Sequence, residues 1–163
     1  MRRLHIAWIA VLLFAAPPLA AQDLGFRGWG LRAGAASDPD QFLIGVHLDL
    51  GDIVENLRLQ PSFEAGAGDD ATTLQALVPV HYRFPVGGSV TPYAGGGVLL
   101  ALLDFDDEAG RGRGRDDDED FDIAPVGVGG LEWSLAGGQE LLLELQVGGG
   151  DAFDAKVMVG WTF

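Results

Sequence analysis

The chain has 163 residues, 25 glycines, no cysteine and a formal net charge of −14. Without cysteine there is no disulfide-braced fold, and the acidity argues against nucleic acid as a partner. A hydrophobic fraction of 48% and a mean hydropathy of +0.20 exclude a disordered chain, leaving an apolar yet acidic protein of single-domain length.

The first residues read as an address. "MRR" is a positive n-region, "HIAWIAVLLFAA" an apolar stretch and "PPLAA" a small-residue end, the pattern of a secretory signal peptide. The apolar stretch falls short of the ~20 residues a spanning helix needs. Residues 1–21 are therefore expected to be a signal peptide, and residues 22–163 one exported domain. Taking Arg2 and Arg3 from the ten basic residues leaves eight against 24 acidic ones, a formal charge of −16.

From there the recurring signal is period two, which marks half-buried strands. "RGWGLRAGAA" sets Trp29, Leu31, Ala33 and Ala35 against Gly30, Arg32 and Gly34. "QFLIGVHLDL" sets Phe42, Ile44, Val46, Leu48 and Leu50 against Leu43, Gly45, His47 and Asp49. "LRLQPSFEAG" and "TLQALVPVHYRF" continue the alternation, with Arg58, Gln60 and Glu64, then Gln75, His81 and Arg83, on their polar faces. "TPYAGGGVLLALL" is glycine-rich and then uniformly apolar, so its phase is open. "IAPVGVGGLEWSL" changes phase near Gly129 and Gly130, where a bulge is expected. "QELLLELQVG" and the final "KVMVGWTF" alternate strictly again. That makes eight strands.

The connections also alternate. "SDPD", "GDDAT", "DFDDEAGRGRGRDDDEDFD" and "GDAFD" are polar or acidic; "GDIVEN", "PVGGSV" and "AGGQ" are short. An antiparallel up-and-down transmembrane β-barrel puts its long loops at one end and its short turns at the other. Aromatics then acquire heights. Trp29, Tyr82, Phe84, Tyr93, Trp133, Trp161 and Phe163 gather at the short-turn end, with Phe42 and Phe63 toward the other and Phe105, Phe121 and Phe153 in or beside the long loops. Aromatic girdles of this kind mark lipid–water boundaries. If "GDIVEN" places Leu50 opposite Leu57, Asp49 faces Arg58 across the barrel wall.

The signal peptide, the eight strands and the terminal "VMVGWTF" together resemble the bacterial outer-membrane protein β-barrel domain family, the small eight-stranded barrels. The resemblance covers the mature chain. It implies a cell outer membrane location in a Gram-negative bacterium, outer-membrane lipids as surroundings and a monomer. It also implies an assembly signal, carried by Val157, Val159, Trp161 and Phe163 and read by the barrel-assembly machinery.

An eight-stranded barrel is just wide enough for side chains to fill it. The inward charges Arg32, Asp49, Arg58, Glu64, Arg83, Glu132, Glu144 and Lys156 are expected to pair in a luminal ion network, because unpaired buried charges are costly. The role implied is structural or surface interaction. The alternatives are a narrow channel for ions or small solutes, and a lipid-modifying outer-membrane enzyme. No catalysis is expected: His47 and His81 have no convincing partner among Ser37, Ser62, Ser89 and Ser134. No cofactor is expected either, since the glycine clusters lack the Lys-Ser/Thr of a phosphate loop. The acidic loop is the one candidate site for divalent cations, through Asp106, Asp107, Glu108, Asp116, Asp117 and Asp118. Its spacing matches no calcium-loop template, so that binding would be weak and multi-site.

Overall fold

The computed structural model describes residues 23–68, 71–105 and 120–163, with the side chains of 71, 104, 105 and 120 excepted. The predicted signal peptide lies outside the described residues, as do Asp106, Asp107, Glu108, Asp116, Asp117 and Asp118.

Alternation becomes strand almost throughout. Nine segments follow in chain order: β1 (Asp23–Ser37), β2 (Gln41–Val54), β3 (Leu57–Leu59), β4 (Ser62–Gly68), β5 (Ala71–Arg83), β6 (Val90–Phe105), β7 (Asp120–Ser134), β8 (Glu140–Val147) and β9 (Ala155–Thr162). β3 and β4 are two pieces of one stave, interrupted at Gln60 and Pro61, where proline offers no N–H to the ladder. The Leu48 N–H still reaches the Pro61 carbonyl at 2.9 Å across this gap. Every pairing is antiparallel, and β1 pairs with both β2 and β9. Eight staves thus close on themselves into an antiparallel β-barrel. The closing seam runs to the last residue, whose N–H donates to the Trp29 carbonyl at 2.9 Å.

The acidic or polar connections lie at one end of the barrel, here the loop end. The short turns and both ends of the described chain lie at the other, the turn end.

Four details of the register depart from the sequence reading. β2 runs on to Val54, so that Asp52 rather than Asp49 lies opposite Arg58. A tight turn makes this possible, with Asn56 at φ 64, a left-handed conformation that asparagine tolerates well. No bulge forms at Gly129 and Gly130: the β6–β7 register runs unbroken from Val90↔Trp133 to Leu103↔Asp120. Slips occur instead between Leu24 and Gly28 on β1, which begins at Asp23, and between Asp52 and Val54 on β2. The loop expected from Asp104 to Asp122 is shorter, because β6 extends to Phe105 and β7 starts at Asp120.

The two faces of the wall differ. Outside, Leu31, Phe42, Ile44, Phe63, Leu74, Val98, Leu102, Ile123, Leu145, Val157 and Val159 are exposed, Phe42 at 82%. Trp29, Tyr82, Phe84, Trp161 and Phe163 ring the turn end, with Trp29 stacked on Phe163 and Tyr82 edge-on to Phe84, each pair at 5.2 Å between centroids. Tyr93 is not among them. It points into the barrel and is buried, because the register sets it opposite Arg83. Inside, Leu43, Leu77, Leu99, Ala101, Leu103, Val126, Val128 and Met158 pack together as an apolar cluster, densest on β6 and β7.

Candidate functional site

The candidate site is the lumen, and it is built from inward positions two residues apart on successive staves. Its charges fall into two clusters. The first sits at mid-height. Glu64 on β4 accepts from Lys156 Nζ at 2.5 Å and from Ser62 Oγ at 2.9 Å, and its Oε1 lies 3.2 Å from Arg32 Nε. Arg32 also pairs with Glu144. Glu144 accepts further bonds from Tyr93 Oη at 2.9 Å and Gln146 Nε2 at 2.7 Å. Lys156 Nζ donates its second bond to Gln75 Oε1 at 2.9 Å. All four ionic members are buried, and each charge meets an opposite one, as buried charges must.

The second cluster sits at the turn end. Arg58 donates to Glu140 at 2.9 Å and to Glu132 at 3.4 Å, and its guanidinium lies 3.5 Å from Asp49. Arg83 donates to Glu132 at 2.7 Å. So Asp49 reaches Arg58 diagonally, although the residue directly opposite is Asp52. The eight residues predicted for the network divide cleanly. Arg32, Glu64, Glu144 and Lys156 meet in one cluster, and Asp49, Arg58, Arg83 and Glu132 in the other. Glu140 belongs to the second.

The histidines stand between the clusters. His47 Nε2 is 2.8 Å from Thr162 Oγ1, and the His81 ring lies 4.5 Å from that of Tyr93. Glycine makes room for these rings. A Cβ at Gly30 would stand 2.3 Å from the His47 ring, and one at Gly130 would stand 2.6 Å from Tyr93 Oη. A hydroxyl on an imidazole is the start of a nucleophile–base pair. Here the second ring nitrogen of His47 has no partner to orient it, and the ring is fully buried. His81 bonds to nothing through either nitrogen. Among the described residues no three histidine or carboxylate side chains converge as metal ligands would.

At the loop end the last connection folds inward. Phe153, expected in or beside the outer loops, lies in this last loop, and it and Ala152 are fully buried. Lys156 Nζ sits 4.3 Å from the Phe153 ring centroid, a cation–π contact that adds to the lysine's pairing. Gln41 Nε2 donates to the Ala152 carbonyl at 3.3 Å, and the Asp154 N–H to the Ser37 carbonyl at 3.0 Å. Below this stopper, Thr73 Oγ1 donates to Gln41 Oε1 at 2.7 Å and accepts from Gln75 at 3.0 Å. From the sequence Tyr93 and Phe153 were read as boundary aromatics rather than luminal residues, and of the Gln41–Thr73–Gln75 chain only Gln75 was placed on a polar face. The signal for Tyr93 was present, since a short turn after Phe84 puts Arg83 and Tyr93 on one rung. Nothing local marks Phe153, whose burial depends on the fold of the loop around it.

The C-terminal residues Val157, Val159 and Trp161 on β9 and Phe163 just beyond it are all exposed on the outer face. Lys156, Met158 and Thr162 on the same stave are buried inside.

No family model matches the chain, and no curated protein does. Solved structures do. Neisserial surface protein A (NspA) aligns with a TM-score of 0.62 at 14% identity, over 83% of this chain and 93% of its own. The de novo designed TMB2.3 aligns at 0.53 with 12% identity, over 87% and 95%. The Yersinia pestis outer membrane protein Ail aligns at 0.51 with 13% identity, over 83% and 97%. At such identities the likeness speaks for the fold alone: a small eight-stranded β-barrel of the kind found among outer-membrane proteins.

Proposed function

We propose that the chain is a monomeric outer-membrane β-barrel of the small eight-stranded family, with a side-chain-filled lumen and a structural or surface-interaction role rather than a catalytic one. One observation carries this: the wall turns charged side chains into the lumen and large apolar ones outward, so that the exposed surface of the staves is apolar, the reverse of a water-soluble protein. Soluble monomers rarely expose contiguous apolar patches beyond a few hundred Å², whereas here the band of exposed Leu, Ile, Val and Phe runs round the wall. A closed ladder is also what lipid demands, since hydrocarbon offers no partner to an open edge. Among the described residues the one hydroxyl–imidazole contact of the lumen, Thr162 with His47, is buried away from any substrate, which supports the non-catalytic reading.

On this reading the loop end faces outward and the turn end faces the periplasm. Outer-membrane lipids cover the wall, and the barrel-assembly machinery reads Val157, Val159, Trp161 and Phe163. Divalent cations gather weakly at the acidic loop. The test is fractionation combined with electrophoresis. The protein is expected in the outer-membrane fraction, and unheated samples in detergent should migrate differently from boiled ones. Recovery in the soluble periplasm with no heat-dependent shift would refute the reading.

A further inference from the structure

The outer wall is not uniform. On β1 to β5 two outward rungs carry small residues among large ones: Ala33–Ile44–Ala65–Leu74 on one rung and Leu31–Val46–Phe63–Ala76 on the next. Further round the barrel the same rungs carry Leu102 and Phe121, or Leu100 and Ile123. The small residues leave a groove of about 770 Å³, walled by Leu31, Ile44, Phe63 and Leu74 and floored by Ala65 and Ala76. A second hollow of about 380 Å³ lies on the next rung toward the loop end, where Ala35 and Ala67 flank Phe42 and the edge is Asp40. Asp40 also borders a third hollow, between the β1–β2 loop and the last loop, whose other carboxylates are Asp38, Asp151 and Asp154. The line from Ala76 to Asp40 therefore passes from a mostly apolar groove, in whose lining Arg32, Glu64 and Gln75 also take part, to an acidic end, and among the described residues no basic side chain borders that upper end.

We propose that this line is a binding track for one amphiphile, whose acyl chain lies in the groove over Ala65 and Ala76 and whose head group presents an amine to Asp40 and Asp38. The inference rests on the membrane reading above, under which lipid covers the wall, and it adds which lipid and where. Charge complementarity selects the head group. A carboxylate at the mouth of an apolar groove repels an anionic lipid and pairs with an ammonium. Shape selects the site. An acyl chain gains contacts in a groove that it cannot make on the filled rungs beyond β5.

The experiment uses the full-length protein refolded in detergent, with retained lipid counted by native mass spectrometry. The probes are phosphatidylethanolamine and phosphatidylglycerol carrying identical acyl chains. Wild type should keep one phosphatidylethanolamine and at least several-fold less phosphatidylglycerol. Ala65→Phe with Ala76→Phe, filling the groove, should lose the retained lipid; Ala94→Phe, outside the groove on β6, should keep it. Asp40→Asn with Asp38→Asn should abolish the preference between the two lipids. The heat-dependent gel shift of each variant reports that its barrel has formed. Equal retention of both lipids by wild type, or undiminished retention by the groove-filled variant, would overturn the proposal while leaving the membrane reading intact. A wild type that fails to insert into vesicles of either lipid would overturn both.

Discussion

The two sides of the lumen meet the same filling problem with different chemistry. β2, β4, β5, β8 and β9 turn Asp49, Glu64, Gln75, Glu144 and Lys156 inward, and every charge is held by a named partner. β6 and β7, over the loop half, turn Leu99, Ala101, Leu103, Ala124, Val126 and Val128 inward and are held by volume alone. The polar side should fail when a partner is lost, and the apolar side when a methylene is lost. Substitutions on each side separate the two.

The largest effect is expected at Glu64, because it holds both Lys156 and Arg32. Glu64→Ala leaves two buried cations short of a carboxylate and should cost about 4 kcal/mol. Unfolding from vesicles by guanidinium, followed by tryptophan fluorescence, measures this. On the apolar side, Leu103→Ala should cost about 3 kcal/mol through lost burial and the cavity left behind. If Glu64→Ala proved the milder of the two, the mid-height cluster would not be the stronger brace.

A smaller contrast lies within the turn-end cluster. Asp49 accepts the Gly51 N–H at 2.9 Å and stands 3.5 Å from Arg58 while nearly fully buried. Asp52 lies opposite Arg58 in register but 4.0 Å from its guanidinium, and its side chain is 19% exposed. Asp49→Ala should cost about 2 kcal/mol, in the range for a hydrogen bond to a charged group. Asp52→Ala should cost under about 1 kcal/mol, as partly exposed pairs do. Equal losses would mean that register, rather than burial, sets the energy.

The same contrast explains what could be read from the sequence. Where one face is polar and the other apolar, period two is visible, and Arg32, Glu64, Glu144 and Lys156 could be placed inward from it. On β6 and β7 both faces are apolar, one toward the outside and one toward the packed lumen, so the alternation vanishes. Gly95 to Gly97, Gly127, Gly129 and Gly130 remove it further by having no side chain to assign. The apparent phase change at Gly129 and Gly130 came from that loss of contrast. The Asp49–Arg58 register failed for a different reason, because it assumed a wide turn where Asn56 allows a tight one. Phe153 was beyond reach, since its neighbours Ala152 and Asp154 are tied by hydrogen bonds to Gln41 and Ser37, more than 110 residues earlier in the chain.

Filling by both means should also leave no open water path. Planar-bilayer recordings of the purified protein are expected to show no porin-sized conductance steps. Reproducible steps of that size would mean that the Phe153 stopper and the mid-height cluster do not occupy the lumen together.

The smallest effect is expected at the acidic connection between β6 and β7. Its neighbourhood from Asp104 to Asp122 holds ten acidic residues around three arginines, and charge blocks of this density repel one another and stay solvated. The ladder needs none of residues 106–119, because Leu103↔Asp120 already closes the β6–β7 pairing. Asp122 does have a task, accepting the Asp151 N–H at 2.9 Å and so tying the last loop down. Replacing residues 106–119 with a short Gly/Ser turn should therefore leave assembly and the heat-dependent gel shift unchanged, whereas Asp122→Ala should loosen the last loop. If the carboxylates of Asp106, Asp107, Glu108, Asp116, Asp117 and Asp118 are where divalent cations gather, the replacement should also abolish any calcium-dependent shift in mobility. A variant that fails to assemble would make the connection part of the frame, and a calcium shift that survived would move the cations to the loop-end carboxylates Asp38, Asp40, Asp151 and Asp154.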